Sequence, residues 1–284
     1  MKTATINPWR KPLLALAAIA ALAAPALSQD MALPDWVDND SERRGYEIAM
    51  RSDNSDNGFA DSRVEATMVL RNAAGQETSR ELSFQTLERA DNTVGDKSIV
   101  VFNTPADVEG TALLSHARIL EPDDQWLYLP ALARVRRISS ANKSGPFVGS
   151  EFAFEDFTAV ELNKYEHNYL DTAQISVGGE TLTVDVVERF PRYGNSGYSR
   201  QVSYIDQEVY QIRRIEFFDR RGDLLKTLDL ADYREYGDGI WRSHALTMTN
   251  HQTGKSTELN YGEFEFGVGL SDNDFVRGVL ERQY

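Results

Sequence analysis

The sequence contains no cysteine among its 284 residues. Disulfides, thiol nucleophiles, zinc–thiolate sites and a lipidated N-terminal cysteine are therefore excluded. Positive charge is scarce, since 30 Lys and Arg residues stand against 44 Asp and Glu residues, which gives a net charge of −14. We expect no nucleic acid among the partners, because contacts to phosphate need clustered cations.

Catalytic and cofactor signatures are also missing. The chain has no G-x-S-x-G, H-E-x-x-H, Walker A or G-x-G-x-x-G motif, and its 4 histidines lack the close spacing of metal ligands. Carboxylates are so frequent that a pair of them says nothing about acid–base catalysis. The sequence therefore predicts a protein that is not an enzyme and that uses no cofactor and no metal ion.

A single long apolar run is present, and it lies near the N-terminus. Residues 13–24 are apolar without a break, follow three basic residues and precede several small ones. The run is about half of the roughly 20 residues that a membrane-spanning helix needs, so we interpret residues 1–28 as a cleaved secretory signal peptide. Cleavage after Ala26 or after Ser28 fits the small residues, and an uncleaved anchor is the alternative. The mature chain, residues 29–284, is expected to be a soluble periplasmic domain.

Most of the mature chain alternates apolar and polar residues, as half-buried strands do. Turn-forming residues such as Gly178 and Gly179 separate these segments, and long helices do not intervene. Residues 35–51 are predicted to be a helix capped by Asp38, Asp40 or Ser41, and a short helix is predicted to follow Asp272.

Short strands in series without intervening helices favour antiparallel pairing. A sheet of about eleven such strands has to avoid exposed edges and cover one apolar face, which strong curvature achieves. The prediction is therefore a mainly β, single-domain protein whose strongly curved antiparallel sheet forms a half-barrel closed by a few short helices.

Residues 126–157 carry a specific pattern, WLYLPALARVRRISSANKSGPFVGSEFAFEDF. A strand that ends in Leu-Tyr-Leu-Pro leads into a basic segment, then a polar loop, then a group of phenylalanines. This passage resembles the P-x-x-x-R-V-R-R-I … G-S-x-F-x-x-E-D motif of the LolA-like outer-membrane lipoprotein-sorting proteins, and the similarity extends over roughly residues 45–284. The resemblance implies a half-barrel that holds acyl chains against its concave face. It also suggests an association with exporters of the resistance-nodulation-division (RND) type in the inner membrane.

A lipid carrier has to shield alkyl chains from water, which stabilises the complex by roughly 25 cal/mol per Å² of apolar area. The apolar face of the first two strands and the phenylalanine group are therefore predicted to form a lipid-binding cavity, with the phenylalanines as a gate over its mouth. The predicted lining is Val64, Ala66, Met68, Leu70, Leu82, Phe84, Phe147, Phe152, Phe154 and Phe157. A packed core is the alternative for all of these residues, because it produces the same alternation.

Three arginines stand together in this acidic protein. Strand alternation predicts Arg134 and Arg136 on one face and Arg137 on the other. Their predicted role is contact with a lipid headgroup at the cavity rim or with a partner exporter. Ordinary ion pairing with carboxylates is the alternative.

The function predicted from these features is a periplasmic carrier or chaperone. It would bind acyl chains of lipids or lipoproteins, touch membranes transiently and shuttle its cargo between them, in association with an RND-type exporter. An accessory adaptor of an exporter complex that carries no lipid is the alternative. An integral outer-membrane barrel and a periplasmic hydrolase are disfavoured, the first because arginines interrupt the terminal alternation and the second because no catalytic motif is present.

Overall fold

The computed structural model describes residues 33–89, 94–237 and 239–281. The predicted signal peptide, residues 1–28, lies outside the described residues. Within them, one open antiparallel sheet of 14 strands is accompanied by one α-helix and by short 3-10 helices. None of the helices in these ranges is both long enough and apolar enough to cross a membrane.

The α-helix is α1 (Asp40–Asn54). The strands are β1 (Asp61–Arg71), β2 (Glu77–Leu87), β3 (Lys97–Thr104), β4 (Ala112–His116), β5 (Asp124–Leu129), β6 (Arg134–Arg137), β7 (Tyr165–Val177), β8 (Glu180–Pro191), β9 (Arg200–Asp206), β10 (Ile212–Phe218), β11 (Leu224–Tyr236), β12 (Ile240–Asn250), β13 (Ser256–Tyr261) and β14 (Glu265–Phe266). The 3-10 helices are Pro130–Leu132, Ser140–Asn142, Phe147–Gly149, Phe154–Phe157, Leu162–Lys164, Asp272–Phe275 and Arg277–Val279.

The strand order is β6-β5-β4-β3-β2-β1-β13-β12-β11-β10-β9-β8-β7, and β14 pairs with β1 outside this path. Two runs of hairpins therefore meet where β1 pairs with β13, in a register that places Met68 opposite Leu259. The predicted mainly β, antiparallel, single-sheet fold is confirmed. The sheet has 14 strands instead of about eleven, and one of them, the two-residue β14, is too short to show any alternation in the sequence.

The predicted helix is confirmed, but it begins later and has a different cap. Asn39 is the N-cap, and its side chain accepts a hydrogen bond from the Glu42 backbone N–H at 3.0 Å. The helix lies so close to β7 that a Cβ on Gly45 would come within 2.7 Å of the Tyr169 nitrogen. Glycine is therefore required in the middle of this helix by packing.

The sheet curves around a cavity of about 820 Å³. Eight strands that are adjacent in the sheet all contribute to the lining of this cavity, in the order β2-β1-β13-β12-β11-β10-β9-β8. Eight strands spaced by about 4.8 Å would span roughly 34 Å if they were flat, which is far wider than a cavity of this volume. The face that carries the cavity is therefore concave, and we call this space the concave-face cavity.

The C-terminal segment covers part of the convex face. The predicted terminal helix is confirmed as two 3-10 turns, and Ser271 provides the N-terminal capping box. Phe275 and Leu280 are fully buried against Ile99 and Leu114. These residues therefore cover the convex face of β3, β4 and β5.

Candidate functional site

The concave-face cavity has an apolar floor built by alternate residues of neighbouring strands. Its large apolar side chains are Val64, Phe84, Val187, Ile205, Ile212, Leu230, Trp241, Leu246, Tyr261 and Phe264. The volume lies within the roughly 300–1,000 Å³ that is typical of small-molecule sites. A floor of this kind offers an apolar surface with few fixed polar contacts.

Helix α1 forms one wall of the cavity. Ile48 is buried against Val187 and Ile205, which anchors the helix to the sheet. The next residue, Ala49, and Ser52, one turn beyond Ile48, line the cavity. The helix therefore covers the floor at the end of the trough nearest to β7 and β8.

Two of the ten apolar residues predicted to form the lipid-binding cavity line the concave-face cavity, namely Val64 and Phe84. The other eight pack against one another in a single continuous cluster on the same face of the sheet. Within β1 the change occurs between Val64, which lines the cavity, and Ala66, which belongs to the packed cluster, although both side chains are buried. One end of the trough is thus filled and the other end is open.

The four predicted phenylalanines form a plug in the filled end. Phe147 is completely buried, and its ring centroid lies 4.3 Å from that of Phe157. Phe157 in turn stacks on Phe84 with centroids 6.4 Å apart, so Phe84 marks the border between plug and cavity. The interpretation of these rings as a gate over the mouth is therefore replaced by a packed partition between the two halves of the trough.

The carboxylates of Glu155 and Asp156 fasten this plug. Glu155 accepts hydrogen bonds from the Gly197 backbone N–H at 2.8 Å and from the Ser196 hydroxyl at 2.9 Å. Asp156 accepts one from the buried ammonium of Lys226 at 2.8 Å. Burial raises the pKa of the Glu155 carboxyl, and its two donors oppose that rise. The E-D pair of the sequence motif therefore has a positional role.

The three predicted arginines lie on β6, at one edge of the sheet, and not around the cavity. Arg134, Arg136 and Arg137 are all exposed. Arg137 pairs with Asp124. Among the described residues, no carboxylate comes within ion-pair distance of Arg134 or Arg136, so both guanidinium groups are open to solvent.

Carboxylates that the sequence analysis did not single out line the cavity wall. Asp53 lies in the last turn of α1, Asp96 precedes β3 and Glu161 lies in the segment before β7. Burial, reinforced by neighbouring carboxylates, raises the pKa of Asp53 and of Asp96 to about 6 and that of Glu161 to about 7. Only the tertiary fold brings these positions together, so no local sequence signal could have identified them.

A buried hydroxyl also faces the cavity. Ser203 on β9 is 3% exposed and lines the cavity beside Ile205. Within the described residues its hydroxyl has no hydrogen-bond partner. Buried polar groups are nearly always satisfied in native proteins, so this hydroxyl is available to a ligand.

Comparisons with known proteins agree on the fold. A family model described as "uncharacterized protein" matches residues 95–282. A candidate outer membrane lipoprotein-sorting protein domain from Vibrio parahaemolyticus is 47% identical, with a TM-score of 0.80 over 85% of this chain and 100% of that one. No curated protein matches the chain.

Two further solved structures are similar. A DUF1329 family protein from Desulfovibrio piger is 29% identical, with a TM-score of 0.78 over 85% of this chain and 100% of that one. A LolA superfamily protein from Nitrosomonas europaea is 20% identical, with a TM-score of 0.64 over 83% and 98% of the two chains, and it supports the fold alone.

Proposed function

Because the chain belongs to the family of LolA-like outer-membrane lipoprotein-sorting proteins, we propose that it is a carrier that holds acyl chains of lipids or lipoproteins in the concave-face cavity. The observation that carries the proposal is this cavity of about 820 Å³, which is floored by apolar side chains from eight adjacent strands. A filled concave face, as an adaptor would have, leaves no space of this kind.

The energetics favour hydrocarbon as the cargo. Burial contributes about 0.8 kcal/mol for each methylene that leaves water, so a chain with ten buried methylenes gains roughly 8 kcal/mol before the cost of association. The floor is built from rigid strands, which limits the ordering cost on binding. Binding and release without any chemical step are sufficient for such a role, and we propose no catalytic residue.

A periplasmic location is part of the proposed function. We place the mature protein in the periplasm, after removal of residues 1–28, because the apolar run near the N-terminus fits a secretory signal. Shuttling of cargo between membranes would follow from that location.

The open arginines on β6 support a contact with a second molecule. Arg134 and Arg136 are exposed beside the turn that presents Leu132, whose exposure is 55%. This combination of guanidinium groups and an apolar side chain suits a membrane surface with anionic lipids or an RND-type exporter. The non-carrier adaptor of an exporter complex is the second candidate function, and it rests on this edge alone.

Native mass spectrometry of gently purified protein tests the proposal. We expect the mature chain to start at Leu27 or Gln29 and to carry about one bound lipid per protein. Organic extraction should then release this lipid for identification. The Val64→Trp variant, whose indole would occupy the cavity, serves as the matched control and should lose the lipid. Protein that is fully folded yet free of lipid, from wild type and variant alike, would favour the adaptor.

A further inference from the structure

The wall of the concave-face cavity carries negative charge without matching donors. Asp53, Asp96 and Glu161 line the cavity; the charge of Asp96 acts on both Asp53 and Glu161, and that of Asp53 acts on Glu161. No hydrogen-bond donor among the described residues reaches the carboxylates of Asp53 and Glu161. Within the same described residues, Asp96 accepts a single hydrogen bond, from the Arg89 backbone N–H at 2.8 Å.

The nearest cations are engaged elsewhere. Arg242 pairs with Asp56, and Lys164 pairs with Asp123. A further carboxylate, Glu88, also borders the cavity and uses its oxygens on backbone N–H groups. The three wall carboxylates therefore face an excess of negative charge.

The other titratable side chains around the cavity do not neutralise this wall. Arg89 donates two side-chain hydrogen bonds to Asp272. Arg189 donates to the Gln201 side chain at 2.6 Å, and its charge does not act on the pKa of Asp53, Asp96 or Glu161. His167 is buried and its pKa is lowered to about 4 by desolvation, so it is neutral at physiological pH.

The unsatisfied Ser203 hydroxyl is a second and independent sign of a ligand. It lies on the floor of the same cavity, 3% exposed and without a hydrogen-bond partner in the described part of the chain. A hydroxyl in this position can donate to, or accept from, a polar group near the start of a hydrocarbon chain.

From these observations we infer that the concave-face cavity selects amphiphiles that carry an amine near the head of the hydrocarbon chain. The inference rests on the proposed function and adds the chemical class of the ligand. An ammonium group supplies several N–H donors and one positive charge, which the wall carboxylates lack. The alkyl chain would lie on the apolar floor, beside Ser203.

The sign of the pH dependence follows from the wall carboxylates. Asp53 and Asp96 ionise near pH 6 and Glu161 near pH 7. Above these values the wall is negative and attracts an ammonium group, whereas protonation below about pH 5 removes the attraction. An alkylamine stays charged throughout this range, so any change in its affinity reports on the protein.

A competition experiment with the full mature chain tests the inference. N-phenylnaphthylamine, which is uncharged in this range, is bound first and then displaced by dodecylamine, dodecanol, lauroyl lysophosphatidylethanolamine or lauroyl lysophosphatidylglycerol. Near pH 8 we expect dodecylamine to bind roughly tenfold more tightly than dodecanol, and this preference should disappear near pH 5. Of the two phospholipids only the ethanolamine lipid carries an amine. Comparing them therefore shows whether a phospholipid headgroup can supply the amine.

Glu161→Gln is the test variant, and Glu180→Gln, at the exposed first residue of β8, is its matched control for net charge. The first should weaken dodecylamine several-fold and leave dodecanol unchanged, while the second should alter neither. We expect Glu161→Gln to fold normally, because burial already disfavours the charged form of the Glu161 carboxyl. Thermal unfolding of both variants checks this expectation.

Each outcome has a defined meaning. A preference for the ethanolamine over the glycerol lysolipid supports the inference with a phospholipid headgroup as the source of the amine. A preference confined to dodecylamine supports it with an amine that carries no phosphate. Equal binding of dodecylamine and dodecanol would overturn the inference and leave the carrier function intact, whereas failure of all five compounds to bind would overturn the carrier function itself.

Discussion

Single side chains in this protein differ in whether their charge is held by a partner. Arg213 is buried and donates two hydrogen bonds to Asp206, at 2.8 and 3.0 Å. Arg134 and Arg136 are exposed and have no such partner among the described residues. Removing one partner of a buried pair leaves an uncompensated charge in the fold, whereas an exposed and unpaired charge is free to contact another molecule.

The open arginines can be tested by charge reversal. Arg134→Glu and Arg136→Glu should leave the midpoint of unfolding nearly unchanged, because surface charges contribute about 0–1 kcal/mol. Transfer of a bound acyl probe to anionic acceptor vesicles should slow markedly in both variants, because the introduced glutamate repels the anionic vesicle surface.

Arg213→Glu is the control, and it should destabilise the fold by roughly 3–5 kcal/mol because it leaves a buried carboxylate beside a second one. If Arg134→Glu lowered stability and transfer in the same proportion, the arginines would be ordinary ion-pairing residues.

At the scale of structural elements, the segment between β6 and β7 divides the concave trough. Its phenylalanines are inserted into the filled end, and Asp156 fastens them by accepting hydrogen bonds from Lys226, from the Tyr198 hydroxyl and from the Ala153 backbone N–H. Lys226 is 3% exposed, so its charge depends on this partner. A buried ion pair therefore contributes to holding the plug in place.

Asp156→Ala should destabilise the protein by roughly 3–5 kcal/mol, because it leaves the Lys226 ammonium buried without its counter-charge. Asp272→Ala is the matched control. Asp272 also binds two cations, Lys97 at 2.6 Å and Arg89 at 2.8 Å, but its side chain is 55% exposed, so the loss should stay near 1 kcal/mol. Chemical unfolding of both variants measures the difference, and equal losses would show that the burial of Asp156 is unimportant.

Elements could be predicted from the sequence where a local pattern specifies them. The alternation of Val64, Ala66, Met68 and Leu70 correctly predicted β1 and the face that it buries. The same alternation could not distinguish cavity from packed core, because Val64 and Ala66 look alike in sequence and differ only in what a distant segment places above them. The wall carboxylates were missed for the same reason, since they meet only through the tertiary fold.

At the scale of the whole molecule, curvature and partial filling act together. The sheet bends around a trough, the plug fills one end, and α1 covers the other end above an open space. The border runs across β1 between two residues that are neighbours on the same face. Adding bulk on either side of this border should therefore have opposite effects on the free energy of unfolding.

The central claim is that this open space binds an acyl chain, and a binding isotherm for N-phenylnaphthylamine with three proteins tests it most directly. We predict that wild type binds the probe, that Val64→Trp keeps its stability and loses the binding, and that Ala66→Trp loses roughly 1–3 kcal/mol of stability through overpacking. Because Ala66 lies outside the cavity, the folded fraction of that variant should still bind. A wild-type protein that binds no probe, together with a Val64→Trp variant as destabilised as Ala66→Trp, would contradict the account.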